Sequence, residues 1–382
     1  MGLLKYKILF PLFILLIAGC ARSVIKYAAS FDSDPYQMFG KMPAREFYLP
    51  QDISDSLKLK WESDMYGSFL NSSVSIYDGL VFVNDLAGRI FCYRFEDGKQ
   101  IGKLKYSSGS VFSTPILLRN KVIFPVAEED ENLTDLVIYD YQNGKELNYI
   151  ELPGRVLTQT ILYGDDILFN TVIGSAYRYS TSGRKIWETQ TRKPSRSSPA
   201  MTSELFIFGN DDGEIIALNS NTGDSVYVKK IGGSFFSGLT ISDGIIYVGN
   251  INGKIYALKV DDGTIKWQYD TGSRIIMTPV TDDQDVFIGN LAGKFYSFNK
   301  NSGEKNWSRD FTGVLNSTPL VTNNLILLPD VQFSLHLIDK FTGEVVKSIK
   351  LDGRAKLSPV IHNNILFIGF DDGIIRAYEF AN

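Results

Sequence analysis

Chemistry needs polar groups brought together, so the acidic pairs, histidines and cysteines come first. Asp211-Asp212-Gly213, Asp261-Asp262-Gly263 and Asp371-Asp372-Gly373 carry the acidity of cation ligands. They also have the composition of tight turns, because Asp and Gly accept the backbone angles a turn demands. Each lies between two apolar runs, so the turn explains them without a metal. The stretch Ala127 to Asp135, AEEDENLTD, holds five acidic residues in nine. Its spacing is not that of an EF-hand loop. A solvated loop interrupting a hairpin is expected there, with an acidic contact or cation site as the alternative.

His336 falls in a strand-like run and His362 beside a hairpin. Neither has a nearby Ser or Cys elbow, and one has no matching ligand group at metal spacing. The glycines end strands and open no helix, which excludes a phosphate-cradling loop. Cys92, inside RIFCYRF, reads as a small buried hydrophobe. A net charge of −4 over 382 residues gives no basic footprint for nucleic acid. No metal, no cofactor and no catalytic residue are expected, and the chain is read as not an enzyme.

The elements that must position these residues are short and repeated. Gly244 to Gly272 reads as three apolar runs, IIYVG, KIYALKV and TIKWQYD, broken by turns at Asn252-Gly253 and Asp262-Gly263. Such runs and turns make antiparallel hairpins. Gly98, Gly144, Gly183, Gly223, Gly263, Gly303 and Gly343 mark the second turn in successive copies, at steps of 46, 39, 40, 40, 40 and 40 residues. A second landmark is Ser-Thr-Pro at 113–115 and 317–319, Ser-Ser-Pro at 197–199, Met-Thr-Pro at 277–279 and Leu-Ser-Pro at 357–359. Asn71-Ser72-Ser73, Thr158-Gln159-Thr160 and Ser237-Gly238-Leu239 fill that register in the other copies.

Four strands per ~40-residue unit is β-propeller arithmetic, with the Ser-x-Pro strand innermost. The landmark occurs eight times, and the last copy stops after its third strand. Leu57 to Trp61 (LKLKW) is a strand without a unit of its own. Trp187, Trp267 and Trp307 lie four residues after a turn glycine, and Trp61 fits the same place. The expected fold is all-β: an eight-bladed propeller over 57–382, closed by an N-terminal strand that completes the last blade.

Residues 1–19 have signal-peptide proportions, with Lys5 and Lys7 ahead of the apolar run Ile8 to Ile17. Ala18-Gly19-Cys20 resembles a bacterial lipobox, in which Cys20 is lipidated; the alternative is an ordinary signal or anchor with an incidental cysteine. Ala21 resembles the sorting preference of outer-membrane lipoproteins. Residues 20–56, with Pro35, Pro43 and Pro50 and no sustained period, are expected to form an extended tether.

Units such as GEIIALNSNTG, GKIYALKVDDGTIKW and GKFYSFNKNSGEKNW resemble the pyrroloquinoline-quinone-type propeller repeat over about 57–382. Together with the lipobox and tether, the layout resembles the BamB family of outer-membrane assembly lipoproteins. That resemblance implies a non-enzymatic scaffold, lipid-anchored in the outer membrane and facing the periplasm. The implied partners are the periplasmic domains of a BamA-like barrel subunit and unfolded barrel substrates. It also implies contact loops at 191–197 and 232–236, with Arg192, Lys193, Arg196, Phe235 and Phe236 as candidates. The family's Leu in the first loop and paired Asp in the second are missing here. The alternative readings are an envelope propeller that binds another protein or a polysaccharide, and a quinone-dependent dehydrogenase. The vicinal Cys pair that covers the quinone in those enzymes is missing.

Overall fold

Asn250 shows how one hairpin is set. Its Oδ1 accepts the N–H groups of Asn252 (3.1 Å) and Lys254 (3.0 Å). Gly253 turns the chain at φ +84°, and Ile245–Gly249 reverses into Lys254–Lys259. Asn210 does the same at Asp211-Asp212-Gly213, so this acidic pair is a turn. The structure, a computed structural model, describes residues 24–28, 34–106 and 108–381. The leader and the lipobox cysteine Cys20 lie outside them.

Hairpins of this kind build eight sheets of four antiparallel strands, one of which gains a short fifth. Blade 5, for example, runs outward through Leu239–Ser242, Ile245–Gly249, Lys254–Lys259 and Ile265–Asp270. The innermost strands of five blades begin one residue after Pro115, Pro199, Pro279, Pro319 or Pro359. Proline donates no ladder hydrogen bond, so it belongs at that boundary. In blade 8, Leu57–Asp64 pairs with Ile374–Phe380, from Leu57 opposite Phe380 to Asp64 opposite Ile374. The N-terminal strand closes the ring and removes two sheet edges.

The core lies between blades. One face of each sheet packs on the next, and the buried clusters each span neighbouring blades. A tryptophan latches four of the seams. The indole Nε1 of Trp61, Trp187, Trp267 and Trp307 donates to the backbone carbonyl of Phe95, Ser220, Lys300 and Lys340 respectively, at 2.9–3.0 Å. Each acceptor lies three residues before the turn glycine of the following blade. That glycine lies against the ring: a Cβ on Gly98, Gly223, Gly303 or Gly343 would come within 2.5–2.8 Å of indole carbons. The turn glycine is therefore required twice over, by its positive φ and by the ring in the place of a side chain.

Residues 20–56 do not form a free tether throughout. From residue 36 the chain runs as a belt around one face, meeting the inner strands in order. Tyr36 bridges Ile76 of blade 1, and Gln37 accepts from Leu117 of blade 2. Pro43, Ala44, Glu46 and Phe47 accept from Met201, Ile241, Thr281 and Val321 of blades 4 to 7. Tyr48–Leu49 then pairs in parallel with Leu320–Thr322 as the fifth strand of blade 7. Tyr36, Met38, Phe39 and Phe47 are buried. Free inner-strand donors and apolar side chains explain why this segment lies down on the disc.

The long blade-2 insertion also differs from expectation. Lys121–Glu128 and Leu133–Asp140 are eight-residue strands in continuous register, so the hairpin is lengthened and only residues 129–132 form the loop. Thr134 and Asp135 are buried within it.

Candidate functional site

On the face opposite the belt, the chain enters each inner strand from the rim, and eight loops converge on the axis. One register position per blade lines the resulting funnel. It is the residue just before the Ser-x-Pro landmark: Leu70, Phe112, Leu157, Arg196, Phe236, Ile276, Asn316 and Lys356. The funnel encloses about 400 Å³. The preceding residue in every copy points the other way and is fully buried: Phe69, Val111, Val156, Ser195, Phe235, Ile275, Leu315 and Ala355. Alternation along an extended segment produces the two sets.

This register corrects one expected contact residue. Phe235 is at a core position, 0% exposed and packed edge-on to Tyr256, so it offers no surface to a partner. Phe236 lines the funnel, with the Arg196 guanidinium over its ring at 5.3 Å. Arg196 Nε also lies 3.4 Å from Asp211, whose carboxyl is held above its usual range by burial, against the pull of Arg196. Lys193 pairs with Asp212 at the surface. Arg192 is exposed, with φ +59°. The structure thus brings Arg196 and Phe236 together at the funnel mouth, with Arg192 and Lys193 on the loop leading to it.

Blades 1 and 3, which lack the Ser-x-Pro sequence, supply the funnel floor. The Asn71 amide donates to Thr318 Oγ1 (3.0 Å) and accepts from the Ser358 hydroxyl (2.9 Å). Gln159 Nε2 donates to the Asn71 carbonyl (2.9 Å), and Gln159 Oε1 accepts the Thr114 N–H (2.8 Å). These long amides cross the axis where shorter Ser and Thr side chains do not reach. In blade 5, a Cβ on Gly238 would come within 2.5 Å of Thr278 Oγ1, so the crowded axis requires glycine there. The three departures from the repeat are a signal in the sequence, and they locate the residues that close the channel.

Below the floor lies Arg45 of the belt, fully buried, with Nη2 donating to the Gln159 and Thr160 carbonyls at 3.1 and 3.2 Å. Belt and floor together block the axis.

The donor set bears on quinone chemistry. The funnel lining holds no carboxylate, and no group of three metal-ligating side chains occurs among the described residues. The tryptophans hold seams at the rim. These residues do not fit a calcium–quinone pair. The remaining candidates have structural roles. His336 sits between Asp330 (2.9 Å) and Ser348 (2.8 Å). His362 is buried against Phe95. Burial pushes the Cys92 thiol well up.

Among solved structures, BamB from Moraxella catarrhalis aligns with a TM-score of 0.72 at 17% identity, covering 85% of this chain and all of that one. Quinohemoprotein alcohol dehydrogenases from Pseudomonas putida HK5 and Comamonas testosteroni align at TM-scores of 0.74 and 0.76. Their identities are 12% and 11%, covering 91% and 93% of this chain and 80% and 82% of theirs. At such identities the likeness is one of fold. A search of curated protein sequences returned no match. A family profile described as "Outer membrane protein assembly factor BamB" matches residues 126–234, 172–277 and 228–318. These segments run unbroken from 126 to 318, half of the 382 residues, and the chain belongs to the outer-membrane assembly factor BamB family.

Proposed function

We propose that the protein is a non-enzymatic scaffold of the outer-membrane β-barrel assembly machinery. It is anchored by lipid on Cys20, faces the periplasm, and binds the periplasmic domains of a BamA-like subunit with its funnel-face loops. Family membership carries this reading. The asymmetry of the funnel supports it: eight equivalent positions hold five apolar side chains, two cations and one amide, so the face has a unique orientation for a partner. Arg196 stacked on Phe236 is an aromatic–guanidinium pair of the type that concentrates binding energy at interfaces.

Co-purification of the lipidated protein with a BamA homologue in mild detergent tests the reading. Arg196→Glu should weaken capture at least tenfold, and Phe236→Ala should do so to a similar degree. Lys266→Glu, on the outer strand of blade 5, should not. Failure of the unaltered protein to capture the homologue would overturn the proposal.

A further inference from the structure

The position four residues after a turn glycine seals most seams to the following blade, and it is not always tryptophan; after Gly343 it is the exposed Lys347, which donates to the Asp55 carbonyl (2.9 Å). Tyr227 donates its hydroxyl to the Val260 carbonyl (2.9 Å), and Asn148 its amide to the Ser182 carbonyl (2.8 Å). In blade 1 that position is Gly102, which has no side chain to give. The N-terminal segment 24–28 occupies the slot. A Cβ on Gly102 would meet the Val24 carbonyl at 2.6 Å and the Ile25 Cα at 3.2 Å. Ile25 is completely buried. The Tyr27 N–H donates to the Tyr141 carbonyl (2.9 Å), the acceptor three residues before Gly144 that corresponds to those taken by the indoles. Tyr139 Oη donates to the Ile25 carbonyl (3.1 Å), and a Cβ on Gly144 would strike Val24. The segment takes the place of a missing tryptophan.

We propose that this latch fixes the orientation of the disc on a phospholipid surface. The proposal rests on the lipid anchor at Cys20 put forward above. Cys20 precedes Val24 by four residues, a reach of at most about 14 Å. An acyl chain in the bilayer therefore holds the blade 1–2 rim against the headgroups, and the disc stands on edge with the funnel axis parallel to the membrane. Lys26, Lys99, Lys103, Lys105 and Lys145 are exposed along this rim, interspersed with Glu96, Asp97, Glu146 and Glu151, and the cations suit anionic headgroups. The loops bearing Arg196 and Phe236 lie near blades 4 and 5, three blades of eight around the ring, in the membrane-distal half.

The test uses the full lipidated protein in vesicles of phosphatidylethanolamine and phosphatidylglycerol carrying a headgroup quencher. A fluorophore is attached at Lys103→Cys beside the latch or at Lys266→Cys on the far rim; buried Cys92 does not label. Quenching at 103 should exceed that at 266 at least fivefold. Gly102→Trp, which fills the slot, and Ile25→Asp, which leaves the ring untouched, should each abolish the difference while the protein still floats with the vesicles. Equal quenching in the floating, unaltered protein overturns the edge-on orientation alone. Absence from the floating fraction overturns the lipid anchor and this proposal with it.

Discussion

The seam between blades 5 and 6 and the seam between blades 1 and 2 solve one problem by different means. At the first, Trp267 lies on the strand Ile265–Asp270, and its own blade delivers both the ring and the donor. It lies against Gly303 and near Tyr247 and Phe298, with ring centroids 6.0 Å away in each case. At the second, the apolar filler (Ile25) and the donor (Tyr27 N–H) arrive on a segment more than 70 residues upstream of Gly102. A side chain on a paired strand leaves its slot only when the blade comes apart. A docked segment can leave while the ring stays whole. Equal geometry therefore need not mean equal stability.

The sharpest way to break this comparison is to remove the filler from each seam. Trp267→Ala is expected to cost about 3–5 kcal/mol in denaturant unfolding, the usual range for deleting a buried tryptophan. Gly303→Ala comes next, at about 2–4 kcal/mol, because left-handed strain is joined by a clash 2.6 Å from the indole. Gly244→Ala isolates the strain. Its φ is +73° and nothing approaches within 4 Å, so it should cost only about 1 kcal/mol.

At the other seam, Ile25→Ala should cost less than about 2 kcal/mol of global stability, below the normal range for a buried isoleucine. The loss is capped at the docking free energy of the segment, since the ring can persist without it. A loss as large as that of Trp267→Ala would show that the latch is an integral part of the ring. The smallest effect is chemical. Cys92, buried and with its thiol pushed up, should react with a thiol reagent only as fast as the protein unfolds globally. Reaction under native conditions at a free-thiol rate would place an opening in the blade 1 core.

The ring was legible because its information is periodic. Turn glycines 40 residues apart, Pro at the start of inner strands and Trp61 without a blade of its own suffice to close eight blades. The belt has no period, because its partners are the inner-strand ends of blades spread over some 250 residues. Its apolar residues Met38, Phe39 and Phe47 were the available sign that it does not float free. Phe235 was misplaced for a related reason. Read alone, Phe235 and Phe236 look alike, whereas the eight aligned copies put one in the core register and the other in the funnel register. Gly102 was equally visible as the missing tryptophan of blade 1, but no spacing connects it to Ile25. The pairing is purely tertiary.

The contrast between the seams is tested most directly by native-state hydrogen exchange at two N–H groups, the Trp267 indole and the Tyr27 amide. The indole should exchange only through global unfolding, with a free energy that falls steeply with denaturant. The Tyr27 amide should be protected by its bond to Tyr141, yet exchange through a local opening of lower free energy and little denaturant dependence. Tyr27 exchanging at the rate of a free chain would contradict the docking of the segment. The same free energy and slope as the indole would contradict its independence from the ring.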